Sequence, residues 1–246
     1  MNLIHVRIES AEMIKHAINS FLALSITFMN EIARVCEHVD ADAREVERGL
    51  KSEARIGPKA YLSPGGPFAG GTLARDVVTL DHLASRFGEE LFLIPAIKTS
   101  NDQHKKWAIQ KLREELGSLT GKRVAILGLT YKPNTDTLRR SLAIEIELCR
   151  SLVAERADLT AFDPVVAVMP GDLSKIQITR RISDAIKDAD ATVVATEWPQ
   201  LLEIDWKESV ALMKQPIIVD ANGFLRSKLS AYPEVIYRSV GAPRTL

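Results

Sequence analysis

From Ser10 to Val39, apolar residues return at three-, four- and seven-residue steps: Ile14, Ile18, Phe21, Phe28, Ile32 and Val35. That is helical spacing. It predicts one helix of about thirty residues, a rod on the order of 45 Å at 1.5 Å per residue, with Ser10 as its N-cap. A helix of that length spans between domains or pairs with a partner helix. A short helix is expected from Asp40 to Leu50, ending at Gly49. The glycines and prolines between Ala54 and Gly70 predict a loop. Gly71 to Phe87 reads as helix again, and Pro95 to Leu116 as one long helix closed by Gly117. Beyond Lys122 the period changes. Short apolar, β-branched runs at Arg123–Leu129, Leu159–Phe162, Ala191–Thr196, Pro216–Asp220 and Val235–Arg238 alternate with helical stretches at Ser141–Ala154, Ser183–Lys187, Pro199–Leu202 and Trp206–Met213. Strands alternating with helices imply a parallel, doubly wound sheet. The fold class expected is therefore α/β. An all-α first domain occupies residues 1–119, and a Rossmann-like parallel-sheet domain occupies residues 120–246.

Composition adds exclusions. Thirty-two basic and thirty-two acidic residues balance to zero net charge, so nothing points to nucleic acid or to an anionic membrane. No apolar run approaches the roughly 18 residues of a membrane span, and the first ten residues have no signal-peptide pattern. Cys36 and Cys149 each lie in a helical pattern, far apart in sequence. They are expected to be buried small hydrophobes in a reducing, cytoplasmic compartment. His82, ten residues past Thr72, is expected on the surface.

The stretch from Pro64 to Asp76, Pro-Gly-Gly-Pro-Phe-Ala-Gly-Gly-Thr-Leu-Ala-Arg-Asp, carries the candidate chemistry. It resembles the active-site loop of the UDP-glucose/GDP-mannose dehydrogenase family, roughly Gly-Phe-Gly-Gly-Ser-Cys-Phe-Pro-Lys-Asp. Aligned on Phe68 and Asp76, Thr72 stands at the position of the family's nucleophilic Cys and Arg75 at that of its Lys. Ala11–Ala23, Asn30–Ala33, Arg55-Ile56-Gly57, Asn101-Asp102-Gln103, Leu127–Asp136 and Asp163-Pro164 also resemble family segments, in order and with similar spacing. The resemblance implies a helical central domain that forms a dimer core and a nucleotide-sugar-binding domain behind it. The family uses NAD to oxidise a sugar alcohol to a uronate, a precursor of polysaccharides.

Lys15 and Asn19 are four apart and share a helix face. A Lys and an Asn there can donate to a developing alkoxide or oxyanion, and the resemblance gives them that role, with Asp76 handling water or protons. In the family the thiolate adds to the intermediate aldehyde. A Thr hydroxyl is a poor substitute, being neither ionised near neutrality nor strongly nucleophilic. Thr72 also fits a simple helix N-cap. Gly65, Gly66, Gly70 and Gly71 allow backbone to approach a ligand closely. By resemblance Arg55, Phe68, Gly70, Lys132 and Arg139 bind the nucleotide sugar, and Arg55 reaches the neighbouring subunit's pocket. Asn222 replaces an Arg, which weakens nucleotide contact. Gly128-Leu-Thr-Tyr-Lys-Pro-Asn-Thr-Asp lacks the G-x-G-x-x-G glycines and is not a dinucleotide site.

No β-α-β unit precedes Ser10, so no NAD is expected to bind this chain alone. Three readings follow: a fragment of a degenerate family member; a short chain that binds a UDP- or GDP-linked sugar or assembles with a full-length paralogue; or a structural dimerisation module without ligand. A homodimer through the Ser10–Val39 helix is expected in any of them.

Overall fold

A computed structural model describes residues 4–138, 141 and 145–243. Five helices come first: α1 (Ile8–Val39), α2 (Ala43–Ser52), α3 (Thr72–Arg86), α4 (Leu93–His104) and α5 (Trp107–Leu116). The 32 residues of α1 contain no Gly or Pro, and the helix closes where Asp40 turns left-handed (φ 58°). It opens at Ile8 rather than after Ser10, and the flanking Arg7 makes no side-chain cap. Asp42 caps α2 by accepting from Arg44 N–H at 2.7 Å, and α2 runs through Gly49 to Ser52. The stretch expected as one helix from Pro95 to Leu116 is two, because the chain breaks at Lys105 and Lys106. On either side of that break His104 turns to the glycine loop and Trp107 to Glu37.

Packing on α1 reverses the simplest reading of its periodicity. Its inward face is small and polar: Ser20, Ala23, Thr27, Asn30 and Ala33 are buried, which lets α3 and α4 approach closely. Ile14, Ile18, Phe21, Phe28, Val35 and Val39 form a second stripe that faces outward, with Phe21 67% exposed.

The second half is a six-stranded sheet: β1 (Arg123–Leu127), β2 (Asp158–Phe162), β3 (Gln177–Thr179), β4 (Ala191–Val194), β5 (Ile217–Asp220) and β6 (Ile236–Arg238). All pairings are parallel and the order is 3-2-1-4-5-6, the doubly wound order whose crevice opens beyond the strand C-termini. Helices α6 (Glu145–Ala154), α7 (Ile182–Ile186), α8 (Trp206–Ala211) and α9 (Arg226–Leu229) accompany the strands. Strand β3 and helix α9 escape sequence reading because each carries a single apolar residue, Ile178 and Leu229, and so no apolar spacing to read.

Both faces of the central strands are buried, and their side chains alternate between two cores. One holds Ala125, Leu127, Phe162, Val194 and Ile218 with Trp198 and Trp206. The other joins Val124, Ile126, Val193 and Val219 to Met29, Ala33 and Cys36 of α1 and to Trp107 and Leu112 of α5. The helical half and the sheet therefore share one core. Cys36 and Cys149 are both buried in it. No helix among the described residues is long and apolar enough to cross a membrane.

Candidate functional site

The glycine loop is held by side chains from three elements. Asn30 of α1 accepts from Gly65 N–H at 3.0 Å and donates to Gly66 O at 3.4 Å. Asn101 of α4 both accepts from Phe68 N–H and donates to Phe68 O, each at 2.9 Å. His104 lies against Gly65 O through Nε2 at 2.8 Å and against Arg34 Nη1 through Nδ1 at 3.1 Å. Carbonyl and guanidinium each permit one role, so Nε2 donates and Nδ1 accepts: the imidazole is neutral. Burial pushes its pKa down to about 4, and Arg34 adds to the shift against the opposing pull of Gly65 O and Glu37. Just past β5, Asn222 Oδ1 accepts from Gly66 N–H at 2.6 Å.

Behind this loop lies a cavity of about 740 Å³, within the range of small-molecule sites. Its walls are the loop, the α4–α5 turn, Tyr131 and Lys132 after β1, and the ends of β4 and β5. It sits at the crevice that the strand order predicts. Lys132 is exposed at its edge and makes no ion pair among the described residues.

A second cluster forms where α3 runs beside α1. Asp76 is fully buried. Its Oδ2 accepts from Asn19 Nδ2 and faces Lys15 Nζ at 3.9 Å, while Oδ1 faces His16 Nδ1 and Arg75 Nε, each at 3.4 Å. Burial alone would raise its pKa, but Asn19, Lys15, Arg75 and His16 outweigh it and hold the carboxyl below its usual range. Asp76 is thus a carboxylate at neutral pH.

The structure brings Lys15, Asn19 and Asp76 together. Thr72 opens α3 one turn before Asp76, exposed and on the cavity wall. It is not the N-cap; Gly71 holds that place. The ring of Phe68 packs with Ala23, Val77 and Ile97 as well as lining the cavity. Gly70 is exposed with open space around it, so nothing near it demands glycine. Gly65 is more crowded: a Cβ there would push Asn222 Oδ1 aside. Arg55 is away from the cavity wall, 88% exposed and paired to Glu53 at 2.9 Å. His82 is exposed. Arg139 lies outside the described residues. Sequence reading missed His104 entirely and saw His16 only as part of the Ala11–Ala23 segment. It saw Asn30 and Asn101 only as parts of matching segments, because their roles depend on partners 33 to 36 positions away.

The turn after β1 does not fit a dinucleotide. Gly128 N–H donates to Phe162 O at 2.7 Å, and the next two amides, of Leu129 and Thr130, are taken by Asp163 Oδ2 at 2.7 and 3.1 Å. Gly128 itself (φ +94°) is packed against Thr196, whose N lies 2.6 Å from where a Cβ would be. None of these three amides is left to cradle a pyrophosphate.

Comparison with known proteins bears on the same segments. The central-domain model of the UDP-glucose/GDP-mannose dehydrogenase family matches residues 9–103, and its UDP binding domain model matches residues 125–227. UDP-glucose 6-dehydrogenase TuaD of Bacillus subtilis is 33% identical over 243 residues, covering 98% of this chain and 52% of its own. The putative UDP-glucose 6-dehydrogenase YtcA of the same organism is 35% identical, over 95% of this chain and 54% of its own. The chain thus spans about half the length of the curated relatives it matches. A UDP-glucose dehydrogenase from Pyrobaculum islandicum superimposes with a TM-score of 0.78 at 27% identity, covering 95% of this chain and 51% of that one. The chain belongs to the UDP-glucose/GDP-mannose dehydrogenase family and carries its central and UDP-binding regions.

Proposed function

We propose that this chain binds a nucleotide diphosphate sugar in the cavity between the glycine loop and the sheet. The observation that carries the reading is the placement of Lys132, which makes no ion pair among the described residues, on a 740 Å³ cavity at the strand C-termini. The family membership supports it. A cation facing a diphosphate contributes about 1.5–3 kcal/mol through charge-assisted hydrogen bonds. With Asn222 in place of an Arg, dissociation constants on the order of 0.1–1 mM are expected. The test is calorimetric or NMR titration with UDP and UDP-glucose. Lys132→Ala should weaken binding roughly tenfold to hundredfold. Equal binding by that variant, or no response to millimolar UDP-sugar, overturns the reading.

The Lys15–Asn19–Asp76 cluster keeps groups suited to steering protons at a sugar hydroxyl. The thiol step of the family's chemistry has no counterpart here. Thr72 offers a neutral hydroxyl, and both cysteines are buried in the shared core. The chain is therefore a nucleotide-sugar binder that does not by itself complete the oxidation to a uronate.

The outward stripe of α1 favours a second, compatible reading, a homodimer. Ile14, Ile18, Phe21, Phe28, Val35 and Val39 recur at four-, three- and seven-residue steps along one exposed face. A contiguous apolar stripe of this length is an association surface rather than a solvated one. Light scattering at micromolar concentration should give a dimer mass, and Phe21→Asp should halve it. A monomeric wild-type chain refutes this reading, and Arg55 then loses its assigned role in a partner's pocket.

A further inference from the structure

We infer that Asn222 is a positioning residue: its side-chain amide latches the glycine loop to the sheet, so the N–H groups of Gly65, Gly66 and Phe68 are held within the protein rather than offered to the cavity. The inference rests on where the loop's backbone groups go. The amides of Gly65, Gly66 and Phe68 donate to Asn30, Asn222 and Asn101, and their carbonyls accept from His104, Asn30 and Asn101. Successive glycine amides ordinarily make an anion cradle. Here they are already spent within the protein.

The holders differ in origin. Asn30, Asn101 and His104 come from α1 and α4 and are no more than 3% exposed. Asn222 comes from the sheet, two residues beyond the end of β5, and is exposed. Its bond to Gly66, at 2.6 Å, ties the loop to the sheet across the cavity. Its own main-chain carbonyl is anchored by Arg44 Nη2 from α2, so the carboxamide reaches out from a fixed base. Gly65 leaves room for it, because a Cβ there would push the Asn222 oxygen aside and disturb its bond to Gly66. A diphosphate in the cavity is then met by side chains such as Lys132, while the latched loop sets the shape it must fit.

Amide hydrogen exchange on the full chain, read by NMR, tests the latch directly. Asn222 is exposed, so its truncation leaves both cores intact. Gly65, Gly66 and Phe68 should be protected in the wild-type chain. Asn222→Ala should speed exchange at Gly66 about tenfold while leaving Phe68 unchanged. Asn222→Asp, which keeps an acceptor oxygen, should restore protection. In UDP titrations Asn222→Ala should bind about fivefold more weakly, as expected for one neutral hydrogen bond; this second readout rests on the nucleotide-sugar reading. If UDP binds neither chain but Gly66 responds as described, the nucleotide reading falls and the latch stands. If Gly66 exchanges equally fast in wild type and Asn222→Ala, the latch is wrong whatever UDP does.

Discussion

Replacing Glu37 by alanine will destabilise the folded chain by about 3–5 kcal/mol, the cost of leaving a buried charge without its partner. Glu37 is 9% exposed and sits where three parts of the fold meet. Its Oε2 pairs with Lys111 Nζ of α5 at 2.8 Å. Its Oε1 accepts from Trp107 Nε1 at 2.8 Å and from Gly241 N–H, beyond β6, at 3.0 Å. Alanine would strand Trp107 Nε1–H and Gly241 N–H and leave Lys111 with only Glu114, at 2.9 Å. Glu37→Gln keeps an acceptor for two of them and should cost less. Burial pushes the Lys111 pKa down, but Glu37 and Glu114 more than offset it and hold it above its ordinary value of 10.5. The contribution of the pair is therefore complete below about pH 10.5 and decays above it. Urea denaturation with an unchanged m-value measures the loss. A Glu37→Ala chain within 1 kcal/mol of wild type would show that the buried network is not holding α1, α5 and the C-terminal turn together.

Stability should also fall as the pH drops from 6.5 towards 4, through the protonation of His104. The folded chain keeps this imidazole neutral, with its pKa near 4, whereas the unfolded chain protonates it from 6.5 downward. A group with a depressed pKa contributes in full above its unfolded value and loses that contribution as pH falls through the folded value. The full span corresponds to about 3 kcal/mol, with about 2 kcal/mol already lost by pH 5, above the range where most carboxylates titrate. The physical origin is local. Protonated Nδ1 would point a hydrogen at Arg34, and the added charge would sit beside a guanidinium in the interior. His104→Gln can still donate to Gly65 O and should lose this pH dependence while remaining folded. Denaturation midpoints at pH 7 and pH 5 for the two chains decide it, with the ring titration followed by NMR. An equal decline in both would place the acid sensitivity elsewhere.

The glycine loop separates what is local from what is not. Pro64 to Gly70 was legible as a loop because Gly and Pro act on their own backbone. Where its backbone groups go was not legible: Gly66 N–H is taken by Asn222, 156 positions later. The same limit explains α1. Periodicity detects apolar side chains and so found the stripe from Ile14 to Val35. The face toward α3 and α4 is built largely from Ser20, Ala23, Thr27 and Asn30, small residues that carry little periodic signal, while Met29 and Ile32 pack on the shared core.

By itself the sequence determined the change from helical to alternating period near Lys122, the parallel α/β class, the shared face of Lys15 and Asn19, and the family likeness of the Pro64–Asp76 segment. These are properties of neighbours along the chain, governed by backbone preference and side-chain spacing. Only the tertiary structure decided that Asp76 is buried against Lys15, His16 and Asn19. It also decided that Thr72 opens its helix without capping it, that the helix expected through Leu116 breaks after His104, and that the amides after β1 are spent on Asp163. Each of these depends on which distant groups meet in space. Close packing and the need to satisfy every buried polar group set those meetings, and neither can be read from spacing along the chain.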